Sequence, residues 1–458
     1  MNGRIALQRP YPVVAPASGP WLDLPRFMML QILCQVALLI PGIGPFRIVL
    51  RMAAFGASIL LLWMLPKGEC MPHPAARAAV TVLLLYVAGI VHPNGNTIIA
   101  AAAQVGLNAA ILAPIFWVSR LQMNPRLLRS SLLLFWCFHC LSSVLGVVQT
   151  YFPGQFQPAV STVITANEME GYMESLMIET ASGEKVYRPM GLTDIPGGAG
   201  NSGYYTVLLG IGFFLTERSR MLRTVFLGSM MLGLSVILLS QVRAILVMLC
   251  LCLVVLACVL VRRGEVRRLA TLIQVLAAVA IIGVFTALYL GGDSVTSRLE
   301  TLVADDPTDV YKRNRGGFLT ETIEVLLPQY PLGAGLGRWG MMNAYFGDNS
   351  NPTSASIWAE IQWTGWVLDG GLPLTLAYVA AIFVALWTSY KVASMSLNHP
   401  IYLWGGVILA YNFGVLALTF SYPVFIGASG MEFWLLNSAL YATYGYVVSR
   451  APRAMEVR

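Results

Sequence analysis

The chain has 458 residues, of which 57% are hydrophobic and only 11% charged, and its formal net charge is +7. Soluble domains carry about 25% charged residues, so this composition excludes an ordinary soluble fold and describes a chain made for lipid. Nucleic-acid binding is excluded as well, because Arg and Lys lie mostly in short loops and no basic stretch is interleaved with aromatics.

Residues 1–26 hold Pro10, Pro12, Pro16, Pro20 and Pro25 with Arg4 and Arg9, and read as an irregular cytoplasmic arm with no cleavable signal peptide. A membrane span needs about 20 apolar residues. In lipid its backbone polar groups must bond within the segment, so the spans are helices. Twelve such stretches follow. In 27–152 they lie near 27–43, 46–65, 75–92, 97–118 and 130–152. In 201–291 they lie near 201–216, 222–240, 243–261 and 269–291. In 372–448 they lie near 372–390, 400–420 and 424–448, ahead of a short cytoplasmic tail, 449–458. The expected fold class is therefore an all-α polytopic membrane protein.

Seven cysteines lie in or beside these stretches. Cys137-Phe-His139-Cys140 offers metal-type ligands, but it is one turn of an apolar stretch with no second ligand pair nearby. A closed zinc site needs about four ligands. We expect no metal and no cofactor, and the cysteines do not read as a secreted-type disulfide framework.

The basic residues set the orientation. Alternate loops carry Lys67 and Arg77; Arg120, Arg126 and Arg129; Arg218, Arg220 and Arg223; Arg262, Arg263, Arg267 and Arg268; Lys391; and Arg450, Arg453 and Arg458. By the positive-inside rule, all of these are cytoplasmic only if both termini are cytoplasmic. Two long segments then lie outside, 153–200 and 292–371. The second contains Lys312-Arg313-Asn-Arg315, an apolar stretch with helical spacing over Phe318–Leu327, and a Gly-rich turn, Pro331-Leu-Gly-Ala-Gly-Leu-Gly337. No strand precedes that turn, so it reads as packing rather than as a phosphate cradle.

Acidic residues are nearly absent from the stretches, Glu432 being the main exception, and this counts against a proton-coupled transporter. Basic residues on the outer face point elsewhere. Arg243 ends the hairpin Ser240-Gln-Val-Arg243 between apolar runs. A snorkelling interfacial role is the alternative for it, but an outer Arg opposes the topology instead of helping it. Arg243 with Arg188, Lys312, Arg313 and Arg315 suggests an anion held at the membrane surface, since guanidinium forks bind phosphate oxygens bidentately. Arg47 and Arg51, four apart at the outer end of the second stretch, and Arg338, just past the Gly-rich turn, join the candidate substrate-binding set.

At these residues the sequence resembles the O-antigen ligase and Wzy polymerase superfamily of bacterial envelope glycan enzymes, over residues 188–390. The resemblance rests on Arg188-Pro-Met-Gly-Leu192, then Asn201, then Ser240-Gln-Val-Arg243, then Arg315 before Phe318–Leu327 and Pro331-Leu-Gly-Ala-Gly335. It departs at one place. The family's ligases place a His about eleven residues before a Gly-Leu, whereas here that position, ahead of Gly371-Leu372, is Glu360. The departure favours a polymerase over a lipid A ligase.

The resemblance implies a GT-C-like fold in the bacterial inner membrane. It also implies a metal-independent inverting glycosyltransferase acting on the periplasmic face. The donor would be a glycan on undecaprenyl diphosphate, the acceptor another glycan, and the surroundings the lipid bilayer together with other polysaccharide export and assembly proteins. Arg243 and Arg315 would stabilise the departing diphosphate, assisted by Arg188 and Arg313, with Glu360 as the candidate base. A transporter or flippase of lipid-linked sugars, or a non-enzymatic assembly partner, are the other readings.

Overall fold

The computed structural model describes residues 23–40, 42–43, 46–66, 72–152, 156–160, 176–179, 185–304, 315–396 and 399–450. Lys312 and Arg313 lie outside the described residues.

The described chain is mainly helical. The N-terminal part forms α1 (Leu24–Ala37), α2 (Arg47–Met64), α3 (Ala76–Gly89), α4 (Ile98–Arg120) and α5 (Pro125–Tyr151). A two-stranded antiparallel ribbon follows, β1 (Met177–Glu179) with β2 (Lys185–Tyr187), Ile178 opposite Val186. The middle part forms α6 (Gly198–Thr216), α7 (Arg220–Ser240), α8 (Arg243–Arg262) and α9 (Val266–Ala304). Two shorter helices, α10 (317–329) and α11 (Gly340–Phe346), precede α12 (Gln362–Ala393), α13 (Ile401–Leu418) and α14 (Ala428–Arg450).

Local chemistry accounts for several helix starts. The Asp23 carboxylate accepts from the Arg26 amide ahead of Pro25, and Thr97 Oγ1 accepts from the Ala100 amide. Asn124 accepts from Arg126 and Leu127 with Pro125 in the first turn. Each side chain satisfies donors that the first turn leaves without a helical partner.

Each apolar stretch expected from the sequence contains a helix, but the helices differ in their fitness for lipid. Among the described residues, eight are long and apolar enough to cross a membrane: α2, α4, α5, α7, α8, the 266–289 part of α9, α12 and α13. The helices α1 and α3 are apolar but have only 14 residues each. Helix α6 is rich in Gly, Ser and Tyr, and nearly all of it is buried between α5 and α7. A helix surrounded by protein does not have to satisfy lipid, so hydropathy underrates it. Gly203 on α6 and Gly233 on α7 meet so closely that a Cβ at either would lie within 2.7 Å of the other's carbonyl oxygen. Small residues permit such backbone approach where lipid supplies no hydrophobic drive between helices. At the opposite extreme α9 packs chiefly on α7, and Phe285 and Tyr289 are fully outward-facing at 74% and 84% exposure.

The connections sort to two ends. One end is arginine-rich. There Arg120 donates to the Leu62 and Leu65 carbonyls, and Arg263 donates to those of Ala393 and Met395 while lying 3.7 Å over the Tyr402 ring. Cations at helix C-termini complement the helix dipole. The other end carries the ribbon, α10, α11 and the long connections, and is called the loop end below.

Two boundaries differ most from the sequence reading. Helix α9 continues to Ala304, past 291, and α12 begins at Gln362, ahead of 372. The early start arises because α12 is broken. Gly370 (φ −162°, ψ 20°) and Gly371 (φ 61°, ψ −151°) leave helical geometry, and Pro373 opens the second half. Only glycine adopts the Gly371 conformation readily, and a Cβ there would strike the Pro331 carbonyl. The Gly-rich turn fills the break. Leu372 N donates to Pro331 O at 3.0 Å, and Ala334 N donates to Leu368 O at 2.7 Å. Non-helical backbone at membrane depth persists where protein satisfies it.

Candidate functional site at the loop end of the bundle

The segment Arg188–Leu192 is clamped onto α5. Gln149 Oε1 accepts from the Met190 and Gly191 amides at 2.8 Å each, Gln149 Nε2 donates to Gly191 O, and Ser142 Oγ accepts from Leu192 N. Arg188 itself follows β2, its amide donating to Leu176 O. Its side chain runs to the start of α6, where Gly197 has Arg188 Cδ and a Val242 methyl as neighbours. Val242 precedes Arg243, so the two arginines of the sequence motif arrive at the same corner.

Arg243 is the first residue of α8, after a sharp turn in which Gln241 adopts the left-handed conformation (φ 54°). A cation at a helix N-terminus works against the dipole. That energy is recovered when an anion meets both the guanidinium and the helix start. The hairpin sits directly on α6, where Gly200 has Ser240 Oγ and Ile245 Cδ1 so near that only glycine fits. Asn201 comes next, and its amide faces the Tyr422 hydroxyl on the turn between α13 and α14. Burial pushes the Tyr422 phenol well above the ordinary tyrosine range, so it stays protonated and able to donate.

The same turn receives the segment carrying Glu360. Gln362 N donates to Thr419 O, Gln362 Oε1 accepts from Phe425 N, and Trp363 Nε1 donates to Thr419 Oγ1. Glu360 forms an ion pair with Arg315. Arg315 leads into α10, which packs on the first half of α12 through a Thr322–Thr364 hydroxyl contact of 2.6 Å. The π-helical turn at Thr322–Leu326 distorts α10 at this contact, a distortion frequent near functional sites. Arg188, Arg243, Asn201, Tyr422 and the Arg315–Glu360 pair are thus linked through neighbouring ends of α6, α8, α12, α13 and α14.

The other candidate arginines have different surroundings. Arg51 is bound by Asp194 at 2.5 Å, with Tyr345 Oη at 3.4 Å, and both partners of the ion pair are largely buried. Arg47 donates to the carbonyls of Ala159 and Val160. Arg338 donates to those of Ala334 and Ala355, and is 6% exposed. These three organise the loop layer in the structure as it stands. Trp339 is equally enclosed and offers no open face to a sugar, since its ring fills the space beside Gly365.

No protein-family model matches the chain, and no curated protein matches it.

Sequence reasoning missed Asp369. This residue ends the first half of α12 and is 4% exposed. Oδ1 accepts from Gln104 Nε2 and Trp339 Nε1 at 2.6 Å each, and Oδ2 accepts from Tyr86 Oη at 2.9 Å. Gln104 in turn accepts from Gly337 N at 2.7 Å. The carboxylate therefore ties α3, α4 and the Gly-rich turn to the broken helix. A lone acid ahead of Gly370-Gly371 in an apolar run was the available signal. Among the described residues no group of His, Cys, Asp and Glu is arranged to hold a metal ion.

Proposed function

We propose that the chain is a bacterial inner-membrane glycosyltransferase of the O-antigen polymerase or ligase type. It would polymerise or ligate oligosaccharide repeats carried on undecaprenyl diphosphate during exopolysaccharide or O-antigen synthesis. In this reading α1, α3, α6 and α14 also span, giving twelve spans in a GT-C-like bundle with the loop end periplasmic and both termini cytoplasmic. The observation that carries it is the meeting of Arg188 and Arg243 at Gly197 and Val242, on a bundle end that also holds the Arg315–Glu360 pair. An acceptor hydroxyl attacks the anomeric carbon, its proton passes to Glu360, and the lipid diphosphate leaves with the bonding pair. Preorganised guanidinium groups stabilise that departing charge in a water-poor site.

The reading is tested in a strain lacking the gene. That strain should lose polymer and accumulate the lipid-linked single repeat, and the wild-type gene should restore the polymer. Arg243→Ala should cut the polymerisation rate roughly 10–150-fold, the equivalent of about 1.5–3 kcal/mol for one charge-assisted contact. Arg243→Lys should rescue poorly, because a point charge lacks the bidentate fork. Normal polymer in the deletion strain, or wild-type rates in Arg243→Ala at normal protein levels, would remove the proposal.

Orientation has its own check. With native cysteines replaced, Leu176→Cys just before the ribbon should react with an impermeant maleimide in intact spheroplasts, and Ser219→Cys should react only after lysis. The reverse pattern would turn the site to the cytoplasm and end the glycan reading.

A second reading, a transporter or flippase of lipid-linked sugars, draws on the break in α12, since transporters use discontinuous helices at their substrate sites. It is the weaker one, because the groups freed at Leu368 and Leu372 are bonded to the Gly-rich turn.

A further inference from the structure

Among the described residues, the polar clusters inside the bundle are of two kinds, closed and open. The Asp369 cluster is closed, with three donors on two oxygens. So is the neutral cluster between α12, α13 and α14. There Asn412 and Asn437 exchange amide hydrogen bonds, Ser389 donates to Asn437, and the remaining Asn437 donor goes to the Phe433 carbonyl. Such clusters fix helix register and need nothing from outside.

Glu432 is different. It lies in the second turn of α14, is partly exposed, and accepts one hydrogen bond, from Tyr205 Oη to Oε2 at 2.6 Å. Tyr205 Oη also contacts Tyr411 Oη at 3.0 Å; its single proton goes to Glu432, so Tyr411 donates to it. No described residue donates to Oε1. A carboxylate offers about four acceptor positions, and an intramembrane carboxylate is costly to keep. For structural purposes a glutamine would serve. Helical side chains lean toward their own N-terminus, so Tyr205 on α6 and Glu432 on α14 both lean toward the loop end. There Tyr422 faces Asn201 and lies close enough to feel the Glu432 charge, one step from the Arg243 hairpin.

We propose that Glu432, with Tyr205, Tyr411, Tyr422 and Asn201, forms a sugar-binding subsite that accepts hydrogen bonds from hydroxyls of the glycan whose diphosphate is held at Arg243. This rests on the function proposed above. Sugar hydroxyls supply the donors that Oε1 lacks.

The test uses the full chain in nanodiscs and two probes: undecaprenyl diphosphate, and the lipid-linked repeat extracted from the deletion strain. Wild type should bind the sugar-bearing lipid more tightly than the bare one. Glu432→Gln, in which Tyr205 can still donate to the amide oxygen, should lose about tenfold or more of that preference while binding undecaprenyl diphosphate as wild type does. Tyr205→Phe should weaken the preference in the same direction. Arg243→Ala should lose both lipids. An unchanged preference in Glu432→Gln overturns the subsite alone, as does equal weakening for both lipids with a lowered melting temperature. A wild type that binds neither lipid overturns the parent reading and the subsite with it.

Discussion

Replacing Asp369 with alanine will prevent the protein from accumulating as a folded, monodisperse species in detergent. The change strands Tyr86 Oη, Gln104 Nε2 and Trp339 Nε1, all enclosed at the centre of the loop end. Each stranded buried donor costs about 1–3 kcal/mol, so three approach the 5–15 kcal/mol that holds a typical fold. The damage spreads, because Gln104 would also lose the geometry with which it accepts from Gly337. Asp369→Asn keeps one acceptor oxygen and lets its amide donate to Tyr86, so it should fall between alanine and wild type. Size-exclusion profiles and thermal unfolding of the three proteins give the order directly. Equal melting temperatures in wild type and Asp369→Ala would mean that the network carries no stability.

The largest expected loss of activity is at Arg315. In the proposed mechanism this side chain both receives the departing diphosphate and holds Glu360, and its pairing with Glu360 makes the two roles inseparable. General-base catalysis is worth about 10²–10⁴-fold, so Arg315→Ala should reduce turnover by at least about 10²-fold. Arg315 is 38% exposed, so the ion pair contributes little to folding, and the melting temperature should stay near that of wild type. Glu360→Gln should give a comparable loss. The double variant should be no slower than the slower single one, since residues that act as a unit are not additive. Losses that multiply would show independent roles, and a fully active Arg315→Ala would take Arg315 out of the mechanism.

The helices were largely legible in the sequence, because apolar runs of span length and alternating basic loops are one-dimensional signals. What the sequence hid is instructive. A helix forms at 201–216 as the sequence leads one to expect, although its composition is middling, and its polar Ser202 and Thr206 face partners on α5. In the sequence the break in α12 looks like a loop ending and a span beginning. Its actual geometry depends on Pro331 and Ala334, about forty residues earlier in sequence, and no local pattern encodes that. In the candidate site, Arg188, Arg243, Arg315 and Glu360 stood out as charges against apolar neighbours. Arg47, Arg51 and Arg338 stood out equally, yet their partners are carbonyls and Asp194. Composition shows that a charge is unusual; which group answers it is a property of the fold.

The Asp369 network also has a direction in time. Its donors, Tyr86, Gln104 and Trp339, all precede residue 369 in the chain. During synthesis from the N-terminus, α3, α4 and the Gly-rich turn are therefore made before the acid that joins them. The carboxylate can pass from the translocation channel into an existing set of donors, without waiting in lipid for a partner still on the ribosome. In the proposed topology, the two halves of α12 are joined only after the turn from Pro331 to Ala334 has crossed the membrane and docked. Completion of the bundle would then be conditional on export of the segment before it, and a chain whose loop end failed to cross would also fail to close.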